Sequence, residues 1–158
     1  MTNTNFIPLD FVVPTFAETS FFKLRPLTIH HVVKDYDAVM TSRDHLWRRF
    51  GGVWGWPAAD LTLEQDLIDL AWHQKEFQTK SSFAYSVLNL EESQVLGCVY
   101  LYPPKLQDVD VEIWFWIRQG ELANNLEQEL YCFITSWLNI SWPFNTVLLN
   151  NEMVKVMK

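Results

Sequence analysis

Glycine is scarce in this chain, with five in 158 residues. A turn that wraps a phosphate in backbone N–H groups uses glycine for close approach. The stretch best placed to do so, between a strand ending at Arg118 and a helix beginning at Asn124 or Asn125, holds only Gly120. Cysteine is scarcer still: Cys98 and Cys132, in no CxxC spacing, exclude a disulfide framework. Both sit in apolar stretches and read as buried free thiols without a basic neighbour to activate them. The four histidines, His30, His31, His45 and His73, show no zinc-ligand spacing, so no metal is expected.

Positive charge is also short, with 12 Lys plus Arg against 19 Asp plus Glu, a net charge of −7. That balance argues against nucleic acid, which needs clustered positive charge. Arg43, Arg48 and Arg49 form the one local basic cluster and read as a solvated helix face. No apolar run reaches the roughly 18 residues of a membrane span. Met1–Ala17 lacks a basic start and carries Asp10 and two prolines, unlike a signal peptide. The expectation is a reduced, cytoplasmic protein that engages no membrane.

What is abundant is apolar and aromatic: hydrophobic content is 49% and aromatic content 15%, with eight Trp. This is a folding composition, sufficient for one domain with a sizeable core. Residues 1–20 read as an irregular arm before a single domain at 21–158. Phe21–Arg25 is a strand that Pro26 ends, and Thr28 caps a helix from Ile29 to about Met40. A second helical piece, Ser42–Phe50, ends at Gly51-Gly52 and leads into a Trp-rich loop, Val53–Pro57. Thr62 and Gln65 form a capping box for Leu63–Thr79, which is expected to bury Leu67, Leu70, Ala71 and Phe77. From Ser82 the period becomes two: Phe83–Val87, a turn at Asn89–Ser93 and Gln94–Tyr102 make a hairpin.

The most informative segment follows. In Val109–Arg118, Val109, Val111, Ile113, Phe115 and Ile117 form an aliphatic face, while Asp110, Glu112, Trp114, Trp116 and Arg118 form the other. A helix then places Leu126, Leu130, Phe133, Ile134, Trp137 and Leu138 on one stripe, with Glu127 as a capping-box partner for Asn124. Trp142-Pro143 stops it, and Asn145–Leu149 is the last strand. The strand–helix–strand ending predicts a parallel pair. The fold class is α/β: a mixed, mostly antiparallel central sheet with helices on both faces.

This order, with Phe22-Lys23-Leu24-Arg25-Pro26-Leu27-Thr28 at its front, resembles the GNAT superfamily of acyl-CoA-dependent N-acyltransferases over about residues 21–152. Val95–Tyr100 is similar to the family's hairpin strand, Val111–Arg118 to its central strand, and Leu148–Glu152 to the strand and turn before its last helix. The resemblance implies acetyl-CoA as co-substrate. Backbone groups of Trp116, Ile117 and Arg118 would meet the pantetheine arm by strand addition, and Leu122, Asn124 and Asn125 would lie at the pyrophosphate.

The family's pyrophosphate turn, Gln/Arg-x-x-Gly-x-Gly/Ala, falls on Leu122, Asn125 and Glu127 without a match. Asn125 is a tolerable stand-in for glycine because asparagine adopts left-handed backbone. Glu127 is a poor one: a carboxylate about 5 Å away opposes the pyrophosphate by roughly 3 kcal/mol at an effective dielectric of about 20. Arg118 is the expected compensating cation. After Glu152 six residues remain, too few for the family's next helix. The last strand would then be an exposed edge where a second copy could pair into a homodimer.

For catalysis the resemblance implies Glu112 as general base, its alternative being a solvent-facing carboxylate beside Asp110. Trp114 on the same face would desolvate it. Tyr100 could supply a hydroxyl to the leaving group, or only pack across strands. Trp54 and Trp56 lie where the family's early loop lines the acceptor pocket, or anchor that loop to the core, and His73 could reach the same pocket, or is a surface or satisfied residue. Two readings follow: an acetyltransferase acting on a small-molecule amine by direct transfer, or a non-catalytic GNAT-fold domain that binds a ligand or protein and has lost CoA binding.

Overall fold

The computed structural model describes residues 6–158. Seven strands pair in chain order in one sheet. They are β1 (Ala17–Glu18), β2 (Lys23–Pro26), β3 (Phe83–Leu88), β4 (Val95–Tyr102), β5 (Val111–Ile117), β6 (Thr146–Leu149) and β7 (Glu152–Lys155). Only β5 and β6 are parallel, as the crossover predicts. Helices α1 (Val32–Thr41), α2 (Arg43–Trp54) and α3 (Leu63–Gln78) lie between β2 and β3, and α4 (Leu126–Ser141) between β5 and β6.

Alternation along β5 divides the core. Val111, Ile113, Phe115 and Ile117 pack with α4, while Trp114 and Trp116 pack with α1, α2 and α3. Leu126, Leu130, Ile134, Trp137 and Leu138 are the buried stripe of α4, each contributing roughly 1.5–3 kcal/mol gross on burial. The helix stops because Trp142, the residue before Pro143, is held extended at φ −128° and ψ 153°. Part of the expected arm also joins this core. Phe6 stacks on Phe144 at 5.9 Å, and Tyr85 Oη donates to the Pro14 carbonyl at 2.7 Å. Residues 1–5 of that arm lie outside the described residues.

Five local expectations need correction. α2 does not end at Gly51-Gly52 but runs to Trp54, where Gly55 closes it at φ +61°. Two interior glycines cost about 1 kcal/mol each. The Phe50–Trp54 stack at 4.6 Å and the cover of the Trp47 ring over Gly51 offset this. In α3, Thr62 accepts from Gln65 N as expected, yet Gln65 turns its amide to Asp69 and leaves the box half-made. The buried positions of α3 are Asp66 and Leu70, while Leu67 is 39% exposed. Cys132 is exposed; only Cys98 is buried.

The fifth correction is at the C-terminal end, where the expected last strand is not an edge. Asn150 and Asn151, both at positive φ, form a two-residue hairpin turn that returns the chain as β7. The outer position therefore belongs to β7.

Gly97 is fixed by its neighbour strand. A Cβ there would lie 2.0 Å from the Trp116 carbonyl oxygen, so no side chain fits.

Candidate functional site

β5 and β6 stay together for three residue pairs, ending at Ile113 and Leu149, and then part. Asn150 bridges the start of the opening: its N–H donates to the Ile113 carbonyl at 2.8 Å, and its Oδ1 accepts from Phe115 N at 3.0 Å. Arg49, reaching from α2, donates to the Phe115 carbonyl at 3.4 Å. Arg118 N bonds to Leu96 O on the β4 side. By alternation the Ile117 backbone groups turn toward the side β6 has left.

A cavity of about 510 Å³ fills this opening, with Arg49, Phe115, Leu122, Asn125, Gln128 and Asn150 among its walls. Asn125, left-handed at φ +62°, precedes α4, and no side chain caps the helix. Its first-turn N–H groups are therefore open to an outside acceptor, at the positive end of the helix dipole. Glu127 does not cap α4. Its Oε1 pairs with Arg49 Nη1 at 2.6 Å. Arg118 is engaged elsewhere, with Asp37 Oδ2 at 3.0 Å and Thr41 Oγ1 at 3.1 Å. The cation that compensates Glu127 is thus Arg49 and not Arg118. Of the expected contacts, Leu122 and Asn125 line the cavity and Asn124 bonds to Glu121, while the expected backbone contacts at Trp116 and Arg118 need correction because both residues turn their backbone toward β4, leaving Ile117.

A second cavity, about 260 Å³, lies on the α1–α3 side of the sheet and unites Trp54, Trp56, His73 and Tyr100. Trp54 meets Tyr100 at 5.7 Å and Trp114 at 5.5 Å, both near edge-on, and His73 stacks on Tyr100 at 5.4 Å. Tyr100 Oη accepts from Trp116 Nε1 at 2.9 Å, and burial pushes the phenol well above its usual range. The hydroxyl stays protonated. Burial lowers His73, so its ring is neutral at pH 7.

Two carboxyls complete this cavity, Asp35 from α1 and Asp66 from α3. Both are buried, and desolvation raises each above the usual carboxylate range. Desolvation, reinforced by Asp35, pushes Asp66 up to about 9. Sequence reasoning passed over both, since acids inside amphipathic helices ordinarily face water. Spacing could have placed Asp66 one turn before Leu70 on the inward stripe.

Glu112 is buried, at 7% exposure, and faces Tyr102 across the β4–β5 pair. Its Oε2 accepts the Lys105 N–H at 3.0 Å, and it is not among the residues lining the aromatic cavity. Neighbouring Asp110 has a structural task, accepting the N–H groups of Asn145 and Thr146. Among the described residues no cluster of His, Cys, Asp and Glu could hold a metal, and no helix is long and apolar enough to cross a membrane.

No family model and no curated protein matches the sequence. Solved structures do match in shape. A ribosomal-protein-S5-alanine acetyltransferase from Vibrio fischeri superposes with a TM-score of 0.67 at 12% identity, over 85% of this chain and 72% of that one. RimL, a ribosomal L7/L12 α-N-protein acetyltransferase in complex with coenzyme A, gives 0.65 at 12% identity, over 85% and 71%. The microcin C7 self-immunity acetyltransferase MccE, in complex with acetyl-CoA and AMP, gives 0.65 at 9% identity, over 82% and 68%. The chain has the GNAT fold. Residues Glu152–Lys155, expected to be too few for the family's next helix, form β7.

Proposed function

We propose that this GNAT-fold protein transfers an acyl group, acetyl in the simplest case, from acyl-CoA to a small amine. The observation that carries the reading is the 510 Å³ opening between β5 and β6 against an uncapped 16-residue helix. Acyl-CoA supplies an activated thioester, and the chain's own residues do the rest. Ile117 offers backbone groups to the pantetheine amides by strand addition. The first turn of α4 and Arg49 offer donors and positive charge to the pyrophosphate. Glu127 does not oppose this as an isolated charge, because Arg49 already neutralises it.

The amine enters the aromatic cavity on the other face. We assign the ammonium proton, taken up as the nitrogen attacks the thioester carbon, to Glu112, because its partner across the β4–β5 pair, Tyr102, lines the aromatic cavity. The carbon–sulfur bond breaks, the nitrogen gives up its second proton as the amide forms, and the departing thiolate takes one proton through Tyr100, which is protonated and held by Trp116.

The competing reading, a GNAT fold kept without CoA, is favoured by Asn150 and Arg49 satisfying the Phe115 backbone groups where a ligand would bond. The discriminating experiment is incubation with acetyl-CoA and a panel of amines, with product detected by mass spectrometry. Acetylated amine formed by the native chain, and formed at least about 100-fold more slowly by Glu112→Gln, supports the enzyme. Native-like turnover by that variant removes Glu112. No product from any amine, together with no CoA binding, favours the non-catalytic reading.

A further inference from the structure

Helix α3 packs on α1 and β3 through the side that carries Leu70. Its opposite side faces solvent and is largely apolar. Leu67, Ile68 and Trp72 are 39%, 54% and 58% exposed, with Ala71 open between them. The spacing along α3 led Leu67 and Ala71 to be expected inside, yet the described residues of one chain leave both open. Single apolar side chains on a surface are ordinary, whereas a continuous stripe of them marks a contact.

The stripe has a definite pattern. Glu64, Ile68, Ala71 and Lys75 follow one another at spacings of four, three and four, forming one line down the helix, the seam of a two-stranded coiled coil. Leu67 and Trp72 flank that line on either side. Glu64 and Lys75 close its two ends with opposite charges, about 16 Å apart along the axis and too far to pair within α3. Neither has an opposite charge three or four residues away on the helix, and neither makes an ion pair among the described residues. The Lys75 ammonium instead rests 5.4 Å over the Trp72 ring.

Such a line complements its own reverse. A two-fold axis passing between Asp69 and Leu70 sets two copies of α3 antiparallel, with Ile68 level with the partner's Ala71 and Glu64 level with the partner's Lys75. Each contact then occurs twice. The small Ala71 side chain admits the isoleucine of the other helix, both end charges are matched, and the helix dipoles run opposite. A parallel pair would set like charges together at both ends. The seam is also neutral on a chain of net charge −7, which suits a second copy better than a basic partner.

We propose that the outer face of α3 is a homodimer interface, formed by antiparallel pairing with α3 of a second copy in this register. The inference stands apart from the transfer reading, and it places the contact between copies on α3 and not on the outer strand of the sheet. Trp72 also lines the aromatic cavity, so the partner helix lies beside one wall of each cavity.

Sedimentation equilibrium of the full chain at low ionic strength, from about 1 to 100 μM, reads the association. The native chain should dimerise within that range. Glu64→Lys sets lysine against lysine at both ends of the seam, and Lys75→Glu sets glutamate against glutamate. Each should weaken the dimer at least about tenfold. Both positions are exposed, so the far-UV spectra should stay native. Mixing the two variants in equal amounts should restore association as a heterodimer, because every end contact then joins opposite charges. The chain carrying both exchanges should self-associate as the native one does. A native chain monomeric throughout, a dimer indifferent to either single reversal, or variants that fail to associate on mixing would overturn the proposal. So would a dimer kept in Glu64→Lys yet lost in Met153→Pro, which blocks the outer edge of β7.

Discussion

Arg49 Nη1 lies 2.6 Å from Glu127 Oε1, joining α2 to the first turn of α4 across the mouth of the β5–β6 opening. The pair is about one-third exposed on each side, so its own contribution to stability is small. Its larger effect is on what can bind there. Glu127 occupies the one arginine that lines the cavity, and Glu152 on the same wall adds a second carboxylate.

Glu127→Gln should therefore strengthen CoA binding by several-fold at low ionic strength, through release of Arg49 for the pyrophosphate. The gain should shrink with added salt. Arg49→Ala should weaken binding by about tenfold or more, because Glu127 is then uncompensated. Calorimetric titration of both variants at two salt concentrations measures this.

Gly97 makes a stability prediction independent of function. An added Cβ would lie 2.0 Å from the Trp116 carbonyl oxygen, which is strand backbone and cannot step aside. Gly97→Ala should cost at least about 2 kcal/mol by forcing β4 from β5. Urea unfolding reads this out as a lowered midpoint. The Gly52 position, with nothing within 4 Å of an added Cβ, provides the control. There Gly52→Ala should stabilise α2 by about 0.5–1 kcal/mol.

Asp66 links stability to pH. Its carboxyl is raised from 3.8 to about 9 in the fold, so between those values the native state binds more protons than the unfolded chain. Stability from this group is fully present below about pH 4 and is lost progressively as pH rises toward 9. Asp66→Asn, which removes the group, should raise stability at pH 7 by about 1 kcal/mol or more, and the advantage should vanish near pH 4. Thermal unfolding of native and variant chains from pH 4 to 9 tests the sign.

The parts of the fold written in periodicity were legible: the odd–even split of β5, the α4 stripe from Leu126 to Leu138, and the parallel return to β6. They are legible because burial of apolar faces dominates folding and leaves a regular trace. Trp54, Trp56, His73 and Tyr100 could be grouped only through the GNAT resemblance, and the structure does place them around one cavity.

The remainder depends on long-range pairing that local sequence does not encode. Arg49 looked like a solvated residue until α2 met α4, 78 positions on. Asp35 and Asp66 looked like surface acids until α1 and α3 closed on β4. Gly51-Gly52 read as a stop because propensity is local, whereas the aromatic packing that carries α2 through to Trp54 is not. The Asn150-Asn151 turn read as a lead into a helix by resemblance, although two asparagines at positive φ suit a hairpin.

The measurement that bears most directly on the central claim is a calorimetric titration of the full chain with acetyl-CoA at low and moderate salt. The account predicts one site with micromolar affinity, weakened by salt and by Arg49→Ala. Absence of binding at both ionic strengths, with the Glu127→Gln variant equally silent, would contradict it and leave a GNAT fold that works without acyl-CoA.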